Sequence, residues 1–360
     1  MHGTLSYIKT ILIHFISALN ASQGVQIKIY THITNTANSI EKSLIICYNF
    51  LAKIKNIRSS VNGVIKMTES AKGYAKINLH LDVTGIMDDG YHAVRTVMQS
   101  ISLCDDVSVT LTTDGTFTCE CDANAVPTDE KNIALRAAKL YCQTVNTVCG
   151  VYVNIKKRIP IAAGLAGGSA DAAATLVALD KIFNCKLGEE KLRRLAAKLG
   201  ADVPFCVSCG TRLADGRGDT LKSFPSLRDD LIVLVACGGE GVSTPWAYRV
   251  LDEYYDCFRN YEEKSTCELK KVISLGDPKS ISESLFNIFE IPISEQRPAV
   301  RELKNIMLSS GALASMMSGS GPSVFGIFGS WEQLRAAEGK IAQRGFFVCS
   351  AYPTPARYNQ

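Results

Sequence analysis

The run Arg158-Ile-Pro-Ile-Ala-Ala-Gly-Leu-Ala-Gly-Gly-Ser-Ala-Asp-Ala-Ala-Ala-Thr175 joins a glycine-rich loop to the first turn of an alanine-rich helix. Such a junction can hold phosphate. Gly164, Gly167 and Gly168 are free to take positive φ and to present bare backbone N–H groups. A helix starting near Ser169 aims its unpaired donors and its positive dipole end at the same spot. No Gly-Lys-Ser/Thr follows, so the loop is not a Walker A sequence. Taken alone, a glycine loop before a helix reads more readily as a tight turn than as a phosphate cradle. Lys76 and Asp202 are the charged residues that phosphoryl transfer would call on, one as a cation for the moving group and one as a proton acceptor. Taken singly they are ordinary: a lysine on the polar face of a strand is usually solvated, and an aspartate after a helix usually forms a turn.

These residues need elements to position them. Tyr74–Thr84 alternates strictly and predicts a strand, with Ile77, Leu79 and Leu81 on one face and Lys76, Asn78 and His80 on the other. Asp88-Asp89-Gly90 supplies a turn, residues 91–103 return, and residues 106–112 form another strand. Asn132 caps a helix whose apolar positions are Ile133, Ala137, Leu140 and Tyr141, and Val151–Ile155 is a strand feeding the glycine loop. The helix after the loop carries Ala172, Leu176, Leu179 and Phe183 on one stripe. A helix at 189–199 stops at Gly200, which leaves Asp202 at its end. Leu231–Cys237 reads as a buried strand, and helices are expected at 245–254, 279–289 and 295–309. Two short strands flank Ser318-Gly-Ser-Gly-Pro322, followed by a helix at 331–343 and a last strand near 346–351. This second half is α+β with antiparallel pairing.

The chain's 360 residues, 46% hydrophobic and 21% charged, suit a soluble protein of two domains. Its net charge of +4 is uneven, because residues 1–66 hold seven basic side chains and one acid, Glu41, leaving 32 basic against 34 acidic over residues 67–360. The body therefore lacks the basic stripe of a nucleic-acid binder, and a phosphate substrate must be met by a local site. Thirteen cysteines without scaffold spacing imply a reducing compartment. Cys206-x-x-Cys209 has no companion pair of metal-binding spacing, so buried, inert thiols are expected.

Residues 1–66 show no sustained period, and the run Ile11–Ile16 is too short to cross a bilayer. Three readings compete: a weak signal peptide, an organellar transit peptide and an upstream stretch translated from a misplaced start. The last is preferred, since Met67 stands just before the first recognisable element, and the transit peptide comes second. The location expected is cytoplasmic, or a plastid-type organelle if the stretch is a transit peptide.

The order Pro160-x-x-x-Gly-Leu-x-Gly-Gly-Ser-x-x-Ala-Ala173 resembles the nucleotide loop of the GHMP kinases, named for galactose, homoserine, mevalonate and phosphomevalonate. Ala75-Lys-Ile-Asn-Leu79, Asp89-Gly-Tyr-His92 and Leu199-Gly-Ala-Asp-Val-Pro204 narrow the resemblance to the branch acting on a cytidine-diphosphate-linked methylerythritol in the non-mevalonate isoprenoid route. Met317-Ser-Gly-Ser-Gly-Pro-Ser323 resembles the third glycine motif of the same superfamily. The resemblance covers residues 71–352 and implies a two-domain GHMP kinase fold of class α+β. In it an N-terminal domain like ribosomal protein S5 domain 2 (67–226) is followed by a ferredoxin-like α/β domain (227–360), with residues 1–66 as an unmatched extension.

The activity implied is ATP-dependent phosphorylation of the methylerythritol 2-hydroxyl, with Mg²⁺ expected. Asp202 would be the base and Lys76 its catalytic partner. ATP would sit on Pro160, Ile161, Ala162, Ala163, Gly164, Leu165, Ala166, Gly167, Gly168, Ser169 and Ala170. Asn78 would shape the substrate pocket, Tyr91 and His92 would recognise the cytosine, and Tyr248 is a second stacking face unless it is simply core. Ala162 and Ala163 stand where some members have glycines and Ala170 where a second serine is frequent, so metal ligands stay unassigned beyond Ser169 as a candidate. Two alternatives are another GHMP kinase, of mevalonate or homoserine type, and a ligand sensor on the same fold. The Gly90-Tyr-His92 segment argues against the first, and retention of Lys76 and Asp202 against the second.

Overall fold

Alternating apolar side chains from Met67 onward build a long antiparallel ribbon on which the rest of the chain is hung. The fold is that of a computed structural model in which residues 67–184, 187–255 and 261–358 are described. The expected extension at 1–66 lies outside the described residues. Strands β1 (Thr68–Ile86), β2 (His92–Thr112), β3 (Phe117–Cys121), β4 (Gly150–Lys156), β5 (Thr211–Asp215) and β6 (Thr220–Ser223) belong to the first half. β7 (Ile232–Cys237), β8 (Phe286–Asn287), β9 (Ala312–Met317), β10 (Val324–Phe328) and β11 (Phe347–Ala351) belong to the second. Among the described residues they form two sheets. One runs β3-β4-β2-β1-β8, with β5 on β2 and β6 on β5; the other is the four-stranded β11-β7-β10-β9. All ladders of the smaller sheet are antiparallel.

β2 is one continuous strand of 21 residues where the sequence suggested two. The expected gap falls at Cys104-Asp105, but Asp105 is fully buried there and salt-bridged to Lys157, so its charge does not turn the chain out to solvent. β1 carries register shifts between Tyr74 and Lys76 and between Asn78 and His80, and such bulges re-aim side chains. Its polar face is as buried as its apolar one: Lys76, Asn78 and His80 are all at most 5% exposed.

The helices are α1 (Ile133–Thr144), α2 (Gly167–Phe183), α3 (Gly188–Ala196) and α4 (Val203–Ser208) in the first half. α5 (Thr244–Tyr254), α6 (Cys267–Leu275), α7 (Pro278–Glu283), α8 (Glu290–Gln296), α9 (Pro298–Ser309) and α10 (Trp331–Gln343) follow. Asn132 caps α1 as expected, its Oδ1 accepting from the Ala134 N–H at 2.8 Å. α2 is not amphipathic; every residue from Ala170 to Leu179 is buried, because the helix packs against β1, β2, α1 and α4. Its alanines permit that close approach.

The helix expected over 279–289 breaks after Glu283, since Phe286 and Asn287 pair with β1 in parallel. α6 went unforeseen. A shared apolar cluster joins Leu81, Val83 and Val94 of the larger sheet to Leu234, Phe289, Met317 and Phe328. It fixes the second half against the ribbon that carries Lys76.

Candidate functional site

β4 ends at Lys156, and the following loop reaches α2 at Gly167, two residues earlier than the sequence suggested. Of the three glycines expected at positive φ, only Gly164 takes it (φ 75), while Ala162 (φ 52) and Ala166 (φ 57) adopt left-handed backbone in place of the other two. Gly167 and Gly168 are instead the first helical residues. Ala166 occupies the N-cap position and has no capping side chain, so the first-turn donors of α2 are left for a ligand.

The loop is held from several sides. The Lys76 N–H donates to Leu165 O at 3.1 Å, Ser323 N–H to Ala163 O at 3.2 Å, and Val242 N–H to Ala162 O at 3.2 Å. The Ser318 hydroxyl donates to Gly164 O at 3.2 Å. A Cβ on Gly164 would lie 2.3 Å from Ser318 O, and one on Gly319 would lie 2.9 Å from Gly164 O and 3.0 Å from Lys76 Nζ. The two glycine motifs thus meet backbone to backbone, and Lys76 lies at their junction.

Lys76, Asn78, Asp202, Tyr248, Gly319 and nearly all of the glycine loop line one cleft of about 630 Å³. Lys76 is 5% exposed, and its Nζ donates to Asn78 Oδ1 at 2.5 Å. Asn78 Nδ2 donates to Thr96 Oγ1 at 2.8 Å, and the Thr96 hydroxyl to His80 O at 2.7 Å. Burial lowers the Lys76 pKa, opposed first by the negative charge of Asp202. Asp202 is not at the end of a helix: α3 stops at Ala196, and Asp202 sits at the N-cap position of α4. Its side chain does not cap that helix.

Tyr248, on the cleft wall, stacks on His92, with ring centroids 4.5 Å apart and planes at 26°, and meets Phe289 edge-on at 5.0 Å. His92 Nε2 lies 2.7 Å from Asp252 Oδ1. Burial pushes the Tyr248 hydroxyl up to about 12. The structure brings neither Tyr91 nor His92 to the cleft wall itself, His92 lying behind Tyr248 in the stack. The Tyr91 ring is 61% exposed and is covered by the Arg217 guanidinium, 4.3 Å from the centroid, and Arg217 itself lines the cleft.

Sequence reasoning missed Thr96, Asp252, Arg217 and a charge cluster beneath the glycine loop. Lys157 Nζ donates to Asp105 Oδ2 at 2.5 Å and to Asp171 Oδ2 at 2.9 Å. Asp105 Oδ1 also accepts the Arg158 and Ile159 N–H groups at 2.6 and 2.9 Å, which fixes the exit of β4 into the loop. Burial pushes the Asp171 carboxyl up to about 8, and its Oδ1 has no partner. An aspartate inside an apolar strand and another inside a buried alanine helix were the available signals. No group of three or more His, Cys, Asp or Glu among the described residues is arranged to hold a metal ion. Cys206 and Cys209 are buried thiols whose pKa values burial raises.

The fold and the paired glycine loops define a class of small-molecule kinases. The family model described as GHMP kinases N terminal domain matches residues 132–210, and that for GHMP kinases C terminal matches residues 268–345. The 4-diphosphocytidyl-2-C-methyl-D-erythritol kinase of Clostridium novyi is 41% identical over 257 residues, 71% of this chain and 90% of that protein. The kinase of the same name from Acaryochloris marina is 41% identical, covering 71% of this chain and 86% of its own length. A crystal structure of 4-(cytidine 5'-diphospho)-2C-methyl-D-erythritol kinase superposes with a TM-score of 0.64 at 29% identity, over 79% of this chain and 99% of that one. An L. major mevalonate kinase, 15% identical with a TM-score of 0.63, shares the fold. The chain belongs to the family of 4-diphosphocytidyl-2-C-methyl-D-erythritol kinases, within the GHMP kinases.

Proposed function

We propose that this chain transfers the γ-phosphoryl group of ATP to the 2-hydroxyl of 4-diphosphocytidyl-2-C-methyl-D-erythritol. The observation that carries the reading is the buried Lys76 at the junction of two glycine loops, electrostatically coupled to Asp202 across the same cleft. Phosphoryl transfer asks for positioning and charge more than covalent chemistry, and this junction offers both. The β- and γ-phosphates lie on the Gly164–Ser169 loop against the uncapped start of α2. The adenine lies toward Val126, Pro127 and Asn132, and the cytosine toward His92 and Tyr248.

The acceptor hydroxyl then sits between Lys76 Nζ and Asp202. Asp202 takes its proton as the oxygen attacks. Lys76, oriented by Asn78 and Thr96, holds that oxygen and offsets negative charge on the migrating group. Ser169 and Asp171 are hard oxygen donors on the cleft wall, and the unpartnered Asp171 Oδ1 fits a hydrated Mg²⁺. That ion would neutralise phosphate charge when bound. Free thiols among the described residues and the absence there of a membrane-length apolar helix fit work in a reducing, aqueous compartment.

A coupled ADP-release assay tests the proposal. Turnover is expected with the diphosphocytidyl substrate and not with mevalonate or homoserine. Turnover on either control, with none on the cytidyl substrate, would overturn it.

A further inference from the structure

If the acceptor carries a cytidine diphosphate, its two phosphates need a cation of their own, away from the transfer point. The cationic side chains lining the cleft, among the described residues, are Lys76, Lys131, Lys157 and Arg217. Lys157 is held by two carboxylates, Lys76 stands at the phosphoryl junction, and Lys131 adjoins the Asn132 cap at the adenine end. Arg217 lies elsewhere, at the tip of the β5–β6 turn. Gly216 O accepts from the Val94 N–H at 2.7 Å, and a Cβ on Gly218 would meet Val94 Cγ2 at 3.7 Å. Val94 also lines the cleft and lies two residues from His92 on β2, so this turn forms cleft wall on the side of the His92–Tyr248 stack.

Two contacts hold the guanidinium there. Its Nη2 donates to Asp89 Oδ2 on the β1–β2 turn, and its plane covers the Tyr91 ring at 4.3 Å. An arginine has five N–H donors in a planar fork, and the side chain remains 44% exposed, so donors are left over. The fork matches paired phosphate oxygens.

We propose that Arg217 recognises the diphosphate of the acceptor substrate, and that Asp89 and Tyr91 are positioning residues that hold its guanidinium at the cleft. This rests on the acceptor assigned above.

The test is binding of cytidine and CDP to the full chain by calorimetry, with the ATP site saturated by a non-hydrolysable analogue. The unmodified protein is expected to bind CDP more tightly than cytidine. Arg217→Met should cut that preference roughly ten- to hundredfold and leave the affinities for cytidine and the ATP analogue unchanged. Arg217→Lys, which keeps the charge but not the fork, should keep part of it, and Tyr91→Leu should lose a smaller part. A CDP preference that survives in Arg217→Met overturns the inference alone. So does a parallel loss of cytidine and CDP affinity, which would make Arg217 a brace for the base pocket. An unmodified protein that binds neither ligand overturns the acceptor assignment and this inference with it.

Discussion

Asp202→Asn separates the proposed proton acceptor from everything else Asp202 touches. The side chain occupies an N-cap position yet makes no capping bond, so asparagine keeps the shape and breaks no local hydrogen bond. Removing a positioned general base costs ~10²–10⁴ in rate, or about 3–5 kcal/mol of barrier. The loss should fall on kcat, with the ATP dissociation constant nearly unchanged, because the proposed phosphate site is the uncapped start of α2 and not Asp202.

A second signature follows from charge. Burial lowers Lys76 from its ordinary 10.5, and Asp202 is the largest influence raising it again. Without that carboxylate the lysine must titrate lower still, so the alkaline limb of the kcat profile moves toward neutral pH. Coupled ADP release across the neutral to alkaline range, with ATP binding measured separately, reads both effects. Turnover near that of the unmodified enzyme, or an ATP affinity lost in proportion to kcat, would refute the assignment of Asp202 as base. An alkaline limb that stays in place would refute the coupling to Lys76.

Tyr248→Ala should raise KM for the cytidyl substrate by an amount worth ~1–3 kcal/mol of stacking and leave KM for ATP alone; equal rises for both would make Tyr248 a packing residue. Gly164→Ala places a Cβ 2.3 Å from Ser318 O at a φ of 75°, so it should cost about 1–3 kcal/mol of stability and weaken ATP binding. An unchanged melting temperature and ATP affinity would show that the two loops need not touch. His80 is buried with an unpartnered Nε2, and burial pushes its pKa from 6.5 down to about 4. Its stabilising contribution is therefore complete above pH 6.5 and is lost as pH falls through about 4, and His80→Leu should flatten that acid limb of the melting curve. A limb of the same slope in His80→Leu would mean that other groups set it.

What the sequence made legible was local. The glycine loop and α2 adjoin in the chain, so their junction could be read directly, although Ala166 and not a glycine takes the left-handed turn into the helix. Asn132, the two strands flanking the second glycine motif, and α10 at 331–343 were equally readable, because caps and periods act over a few residues. The gap expected at Cys104-Asp105 closes because the Asp105 carboxylate is met by a lysine 52 residues away and by the Arg158 and Ile159 N–H groups. The helix expected over 279–289 failed for a similar reason. Asn287 leaves the helical path to pair with β1, and its Nδ2 donates to Met317 O and Gly319 O at 2.7 and 2.9 Å. That Arg217, 126 residues after Tyr91, stands over the Tyr91 ring is likewise something no pattern of residue types shows.

The least legible feature of all is the environment of Lys76, since nothing in Ala75-Lys-Ile-Asn-Leu79 says that the lysine will be buried. Burying an ammonium group destabilises the fold unless partners offset the cost, and the lowered pKa records that the cost is not fully offset. The Asn78 amide accepts one of its three protons, and Asp202 supplies opposing charge across the cleft. A solvated lysine would be cheaper for folding and poorer for chemistry, because water would screen it from the charge it must meet. Held dry beside Gly319 and Gly164, it would keep its full field for the oxygen and phosphoryl group proposed to meet between the two loops. The glycines are therefore required twice over. In the proposed function they let phosphate approach the backbone, and in the fold they let the second half of the chain close over Lys76 tightly enough to exclude solvent from it.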